Sequence, residues 1–371
     1  MEMEEDFESL IRHRVTWETE PSLGPSEYHS EHGTMRVLRG HFKHGLAAGV
    51  EVILLDTGAV RLLVLPTRGM GIWRIEAGGQ MFGWRSPVAG PVHPALVPVF
   101  DPSGLGWLEG FDELLVRCGL ESNGAPQHDA AGRLEYPLHG RVANLPASDL
   151  SVTFDSASEK LTLEGTVTES KLFFKRLQLR SRLTLTANRT LIEIEDRVTN
   201  GLSQPATAQM LYHINLGTPL LAAGDRVRVA SEEVRGKDER SESERGHWNE
   251  IGAPTSGYAE RVYFVTPRSD AEHRSAAMLQ GPSGDLGFGI TYQTDTLPHL
   301  VVWKNTGALP DGYVVGLEPA TNLPNTRAEE TAAGRVVSLD AGASVTFRMT
   351  LQPLLSAAKV AAFATKHALD E

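Results

Sequence analysis

Apolar and polar residues alternate with a period of two along most of this chain, which predicts a protein made of antiparallel strands. Segments 35–40, 49–55 and 59–65 follow one another, with Asp56-Thr57-Gly58 as the turn before the third. Pro66-Thr67-Arg68-Gly69-Met70-Gly71 interrupts the pattern, and 72–76 resumes it. Segments 152–155, 160–168, 173–186 and 190–199 read as a run of hairpins, with Asn188-Arg189 and Asn200-Gly201 at turns. Further strands are expected at 206–217, 261–265, 276–279, 286–292, 300–304, 313–317, 334–339 and 344–351. Helical spacing is confined to a short segment at 5–15 and to the tail, 355–369, where Leu355, Val360, Phe363 and Ala364 recur together.

Two stretches break the alternation. Residues 77–130 are rich in Gly and Pro and carry Trp84 and Trp107 in expected loops; within them 111–118 fits a strand or a helix equally. Residues 231–247 are charged without periodicity and read as a solvated loop rather than a lid. No composition break divides the rest. The expectation is an all-β protein: an N-terminal extension (1–34), one large domain (35–354) and a C-terminal helix (355–371).

Composition narrows the function. Among 371 residues, 41% are hydrophobic and 22% charged, as in ordinary globular proteins. The single cysteine, Cys118, rules out an internal disulfide framework and a multi-cysteine zinc site. The net charge of −12, with basic residues interleaved among acids, argues against nucleic acid as a partner. No apolar run reaches the roughly 20 residues of a membrane span. The acidic start lacks an apolar core, so a cytoplasmic protein without membrane association is expected. A small molecule is the expected partner, and the chain is expected to act as a monomer or homodimer.

Three short stretches carry candidate chemistry. In Tyr212-His213-Ile214-Asn215, His213 and Asn215 stand two apart on a strand and share a face. A histidine inside a strand is costly unless it is hydrogen-bonded or functional. Glu318 follows the apolar run 313–317, where burial would raise its pKa toward that of a general base working near neutrality. His139 lies in Leu138-His139-Gly140-Arg141. Nucleophile-elbow, Walker and dinucleotide motifs are missing, so no cofactor is expected. His41 and His44 lack a third ligand at a metal-site spacing, and no metal is expected.

Leu138-His139-Gly140, Tyr212-His213-Ile214-Asn215-Leu216 and Leu317-Glu318-Pro319 resemble, in this order, motifs of the aldose 1-epimerase (galactose mutarotase) superfamily. Thr67-Arg68-Gly69-Met70, Gly83-Trp84-Arg85-Ser86-Pro87, Arg117-Cys118-Gly119-Leu120 and Pro137-Leu138-His139-Gly140-Arg141 resemble a divergent branch of uncharacterised aldose 1-epimerase-like proteins. The resemblance covers about residues 35–354. It implies a β-supersandwich with a sugar cleft, in which anomers interconvert by acid–base ring opening. By that resemblance Glu318 would be the base, His213 the acid and His139 a group that orients the sugar.

Departures from the familiar pattern raise a question about the sugar. Tyr212 stands where the mutarotases have Asn, and the Arg68-Gly69-Met70 element is additional. Arg68, Arg117 and Arg141 would suit an acidic sugar if they reach the cleft, since guanidinium groups bind anions bidentately. The competing reading has them bracing loops through Asp112, Glu113 and Glu121. Asn215 and Trp303 complete the expected sugar-binding set, Trp303 by stacking on a pyranose face, with Trp84 and Trp107 as alternatives. Two other functions fit the same cleft: a sugar-binding or sensing protein without turnover, and an isomerase or lyase acting at another carbon.

Overall fold

The structure is a computed structural model that describes residues 7–370. Two large antiparallel sheets face each other, and the alternation explains why. The smaller sheet runs in the order Ala147–Asp155, Lys160–Lys171, Lys175–Thr186, Ile192–Asn200, Ser344–Leu354, Gly287–Gln293, Arg274–Gln280, Arg226–Val229. Its inner positions, such as Leu163, Leu179, Ile194 and Leu351, join Ile72, Tyr212, Ile214 and Leu317 of the larger sheet in one core. Its outer positions carry exposed ion pairs such as Arg182–Glu164 and Arg348–Glu195. A sheet with one wet face needs this alternation.

The larger sheet is different. Its path runs Val15–Trp17, Gly33–Phe42, Glu51–Asp56, Arg61–Leu65, Gly71–Ala77, Leu115–Leu120, Ala206–Gly217, Val314–Ala320, His299–Asn305, Arg261–Pro267, Ser231–Gly236. Leu115–Leu120 and Val314–Ala320 are buried at every position, and Ala206–Gly217 at all but its first two. Loops from the 77–145 region cover the far face of these central strands, so their outward side chains leave water too. That second covered face makes the site.

The strand at Leu115–Leu120 resolves the ambiguity at 111–118: it pairs with Ala206–Gly217 from Gln209↔Leu120 to Ile214↔Leu115. The expected N-terminal extension is tied to the sheet, with Val15–Trp17 and Glu27–Ser30 both paired to Gly33–Phe42. The C-terminal helix, Ala357–Lys366, starts at Ser356, whose side chain accepts from Lys359 N, and packs Val360, Phe363 and Ala364 against Ala276 and Met278.

The solvated loop expected at 231–247 is corrected. Ser231–Gly236 is an edge strand on Arg261–Pro267, followed by the helix Glu239–Ser243, capped by Asp238. A register shift between Ser231 and Glu233 breaks the alternation, and an edge strand tolerates the charges that hid it.

Candidate active site

Cross-strand register builds the site before any side chain is placed. Ile214 pairs with Leu317 and Leu211 with Ala320, so His213 stands opposite Glu318, and Asn215 pairs with Gly316. On the next strand Glu318 pairs with Val301 and Gly316 with Trp303. Directly paired residues share a face of the sheet. His213, Asn215, Glu318, Gly316 and Trp303 therefore meet on the covered outer face, while Tyr212 and Leu317 point into the core between the sheets.

His213 Nε2 lies 3.2 Å from Glu318 Oε1. The two atoms are not aligned for a hydrogen bond, and Glu318 Oε1 is buried without a partner. The histidine tautomer follows from Asn215. Its Nδ2 donates to the carbonyls of Glu113 (3.0 Å) and His213 (3.2 Å), leaving Oδ1 to accept from His213 Nδ1–H at 2.6 Å. The neutral imidazole then presents an unprotonated Nε2 to Glu318. Burial pushes His213 well below the ordinary imidazole value, and neighbouring His139 adds to that, while the Asn215 bond opposes it. Burial likewise pushes Glu318 well above the ordinary carboxylate value; Lys237 partly offsets this and Glu260 reinforces it. Both shifts favour the neutral forms, a protonated carboxyl beside an unprotonated Nε2.

His139 completes the polar wall from another element. Its ring is perpendicular to that of His213, with centroids 5.5 Å apart. Its Nδ1–H donates to the Asn123 carbonyl at 3.0 Å, which fixes the tautomer with Nε2 unprotonated. Burial lowers its pKa to about 4, so it is neutral at physiological pH. The turn that carries it is tight: a Cβ on Gly140 (φ 72°) would lie 2.0 Å from the Ser122 carbonyl oxygen. Only glycine fits there. Asn123 in turn exchanges side-chain hydrogen bonds of 2.9 and 2.8 Å with Asn322.

Aromatic rings line the remainder. Phe111 and Trp303 centroids lie 5.0 and 5.3 Å from the His213 ring, and Trp107 lies 4.6 Å from His139. Trp303 is half-buried and donates Nε1–H to Glu260 at 2.7 Å, so its ring borders the open side. Trp84 and Trp107 are buried packing residues, and Trp84 Nε1 is bonded to the Glu113 carbonyl. Trp107 Nε1, by contrast, is buried without a partner, a donor that sequence reading did not single out. Among the described residues no three His, Cys, Asp or Glu side chains are placed to hold a metal ion.

The arginines expected in the cleft are corrected. Arg68 is 1% exposed and its donors go to protein: Glu113, the carbonyls of Val92 and Gly110, and Asn144 Oδ1. Arg117 pairs in register with Tyr212 and so faces the core between the sheets, away from His213. There it bonds Asp196 at 2.5 and 3.2 Å, Ser181 at 2.8 Å and the Met70 carbonyl at 2.5 Å. Tyr212 donates to the same Asp196 at 2.8 Å, which accounts for a tyrosine beside the site histidine. Arg141 stacks over Phe100 at 5.1 Å and lines a neighbouring cavity with Glu121, Lys171 and Lys175. The competing reading, bracing through Glu113, describes Arg68; Arg117 instead joins the two sheets through Asp196, a partner neither reading named.

Gly316 is the residue whose importance the sequence concealed. A Cβ there would lie 2.6 Å from Glu318 Oε1 and 3.2 Å from His213 Cε1. Gly316→Val should therefore displace the pair and lower kcat/KM by about 100-fold, the scale for misplacing reacting groups by an ångström. Circular dichroism would check that the fold persists. Full activity in this variant would show that the space beside Glu318 is not used.

The sequence family agrees with this architecture. Residues 47–352 match the family described as Domain of unknown function (DUF4432). No curated protein matches the chain in sequence. Among solved structures, a candidate aldose 1-epimerase from Klebsiella pneumoniae is 31% identical, covering 95% of this chain and 94% of its own, with a TM-score of 0.88. A galactose mutarotase-like protein from Clostridium acetobutylicum is 14% identical, covering 82% of this chain and 95% of its own, with a TM-score of 0.58. The latter likeness speaks to fold alone. The chain belongs to the DUF4432 family, and its fold is that of the galactose mutarotase-like proteins.

Proposed function

We infer that this protein is a carbohydrate epimerase acting at the anomeric carbon, an aldose 1-epimerase, with Glu318 and His213 as its acid–base pair. The observation that carries the reading is a buried carboxyl 3.2 Å from an imidazole nitrogen, with an unpartnered oxygen, on a face lined by aromatic rings. Burial of both groups without neutralising ion pairs is expensive for a mere binding surface. Proton transfer gives the arrangement a purpose.

In the ring-opening direction Glu318 carboxylate takes the proton of the anomeric hydroxyl, and His213 Nε2–H gives a proton to the ring oxygen. The bond from C1 to the ring oxygen breaks and the C1 carbonyl forms. Rotation about C1–C2 and the reverse transfers close the ring as the other anomer. The pair carries one proton before and after opening; only its position changes. The resting arrangement, carboxyl protonated and Nε2 bare, is the one that follows opening and is ready for closure. Hydroxyl donors of a bound sugar would favour the carboxylate and send the proton to Nε2. His139 and Trp107 Nε1 would hold sugar hydroxyls, and Trp303 would stack on the ring.

The test is polarimetry of freshly dissolved α-anomers across a panel of aldoses, with and without enzyme. Faster mutarotation of at least one sugar is expected. Ligand-induced thermal stabilisation without faster mutarotation would favour a binding protein.

The pH dependence has a definite sign. His213 accepts a second proton only well below the ordinary imidazole value, and Glu318 loses the shared one well above the ordinary carboxylate value. Double protonation of the pair is therefore confined to pH well below 6.5, the usual histidine midpoint. The acid limb of the kcat/KM profile should lie below that pH. An acid limb centred on the usual histidine midpoint would contradict the assigned protonation of His213.

A further inference from the structure

The same register that places Glu318 continues two strands further, to the sheet edge. Val301, opposite Glu318, pairs with Phe264, and Phe264 pairs with Arg235. In the adjacent row Gly316, Trp303 and Val262 are followed by Lys237, whose backbone N–H donates to the Val262 carbonyl at 2.9 Å. The middle of these rows is a small apolar cluster, Val262, Phe264, Val301 and Leu323, with Trp303 packed on it. Both rows end in a cation on the face that holds the acid–base pair.

Arg235 and Lys237 are exposed, and among the described residues neither is in a salt bridge with a carboxylate, although the chain carries a net charge of −12. Arg235 folds back over the Phe264 ring, its guanidinium carbon 4.7 Å from the centroid, toward Glu318 rather than away from it. The positive charge of Lys237 acts on both Glu318 and His139, which flank the cleft from different elements. Acidic groups lie on this side as well: Glu260, whose carboxylate accepts from Trp303 Nε1, and Asp238 and Glu329, on which Lys237 also acts. Arg235 and Lys237 are nonetheless the cations of these two rows that are held in no salt bridge. With about 4.8 Å between strands, the folded-back guanidinium lies on the order of 10 Å from Glu318.

We propose that Arg235 and Lys237 form a subsite for an anionic group at the end of the sugar remote from its anomeric carbon. The substrate class is then an aldose carrying a phosphate, sulfonate or carboxylate on its terminal carbon. This rests on the anomeric reading of the Glu318–His213 pair. It places the anion-binding role on two residues of the edge strand and its extension, not on Arg68 or Arg117.

The test compares matched sugars: glucose, glucose 6-phosphate and glucuronate, with binding by calorimetry and anomer exchange by NMR. The wild type should bind at least one anionic sugar about tenfold or more tightly than glucose, and less selectively at high salt. In R235Q/K237Q the ratio of anionic to neutral affinity should collapse toward one; a ratio is insensitive to partial loss of folded protein. The phosphate and carboxylate arms identify which anion is preferred. Equal affinities in the wild type, or a preference that survives the double variant, would overturn the subsite while leaving anomer exchange of glucose as an independent result. Anion-selective binding lost in R235Q/K237Q, with no faster anomer exchange, would support the subsite and overturn the anomeric chemistry.

Discussion

Glu318→Gln should lower kcat about a thousandfold while sugar binding persists, because general acid–base transfer contributes roughly 10²–10⁴ in rate. The amide preserves the size of the side chain beside Gly316 and the hydrogen-bonding hydroxyl partners, and removes only the titrating proton. Its effect on stability has a worked sign. The folded carboxyl has a raised pKa, so the native state opposes ionisation. Stability is intact below the unfolded carboxylate pKa and falls as pH rises through the folded one. The glutamine variant lacks that penalty, so its Tm should match or exceed that of the wild type at alkaline pH. A site that costs stability to keep its proton is expected where function has been selected. Unchanged turnover in the variant would remove Glu318 from the chemistry.

Arg117→Ala should be the most damaging change away from the site. The Arg117–Asp196 pair is 0% exposed on both sides and joins the two sheets through Ser181 and Tyr212. Removing one member of a buried pair strands the other, at a cost of about 3–5 kcal/mol. Urea denaturation would read this as a lower midpoint with little change in slope. R117M/D196N, which removes both charges, should recover part of the loss. A stable Arg117→Ala variant with an impaired KM would instead return Arg117 to the substrate.

The sequence showed the strand at Ala206–Gly217, and with it the shared face of His213 and Asn215, because period two leaves no other face for residues two apart. It also showed Glu318 at the end of an apolar run. It could not show on which side Arg117 falls. That depends on the pairing of Leu115–Leu120, a segment whose burial on both faces erases alternation. Arg68 was equally opaque, since its partners come from residues 92, 110, 113 and 144, in loops and short 3-10 turns without a readable period. Gly316 looked like an ordinary strand glycine, and only its neighbours across the sheet reveal that a side chain would occupy the reacting space. The edge strand Ser231–Gly236 was hidden by its own charges, among them Arg235, which pairs in register with Phe264.

The central claim is that one proton moves between Glu318, His213 and a sugar, opening the ring at C1 and touching no other carbon. Exchange NMR of an aldose in deuterated buffer tests it most directly. Cross-peaks between the α and β anomeric protons should grow in proportion to enzyme and vanish with Glu318→Gln, with no deuterium entering at C1 or C2. Deuterium appearing at C2, or anomer exchange that ignores the enzyme, would contradict the account.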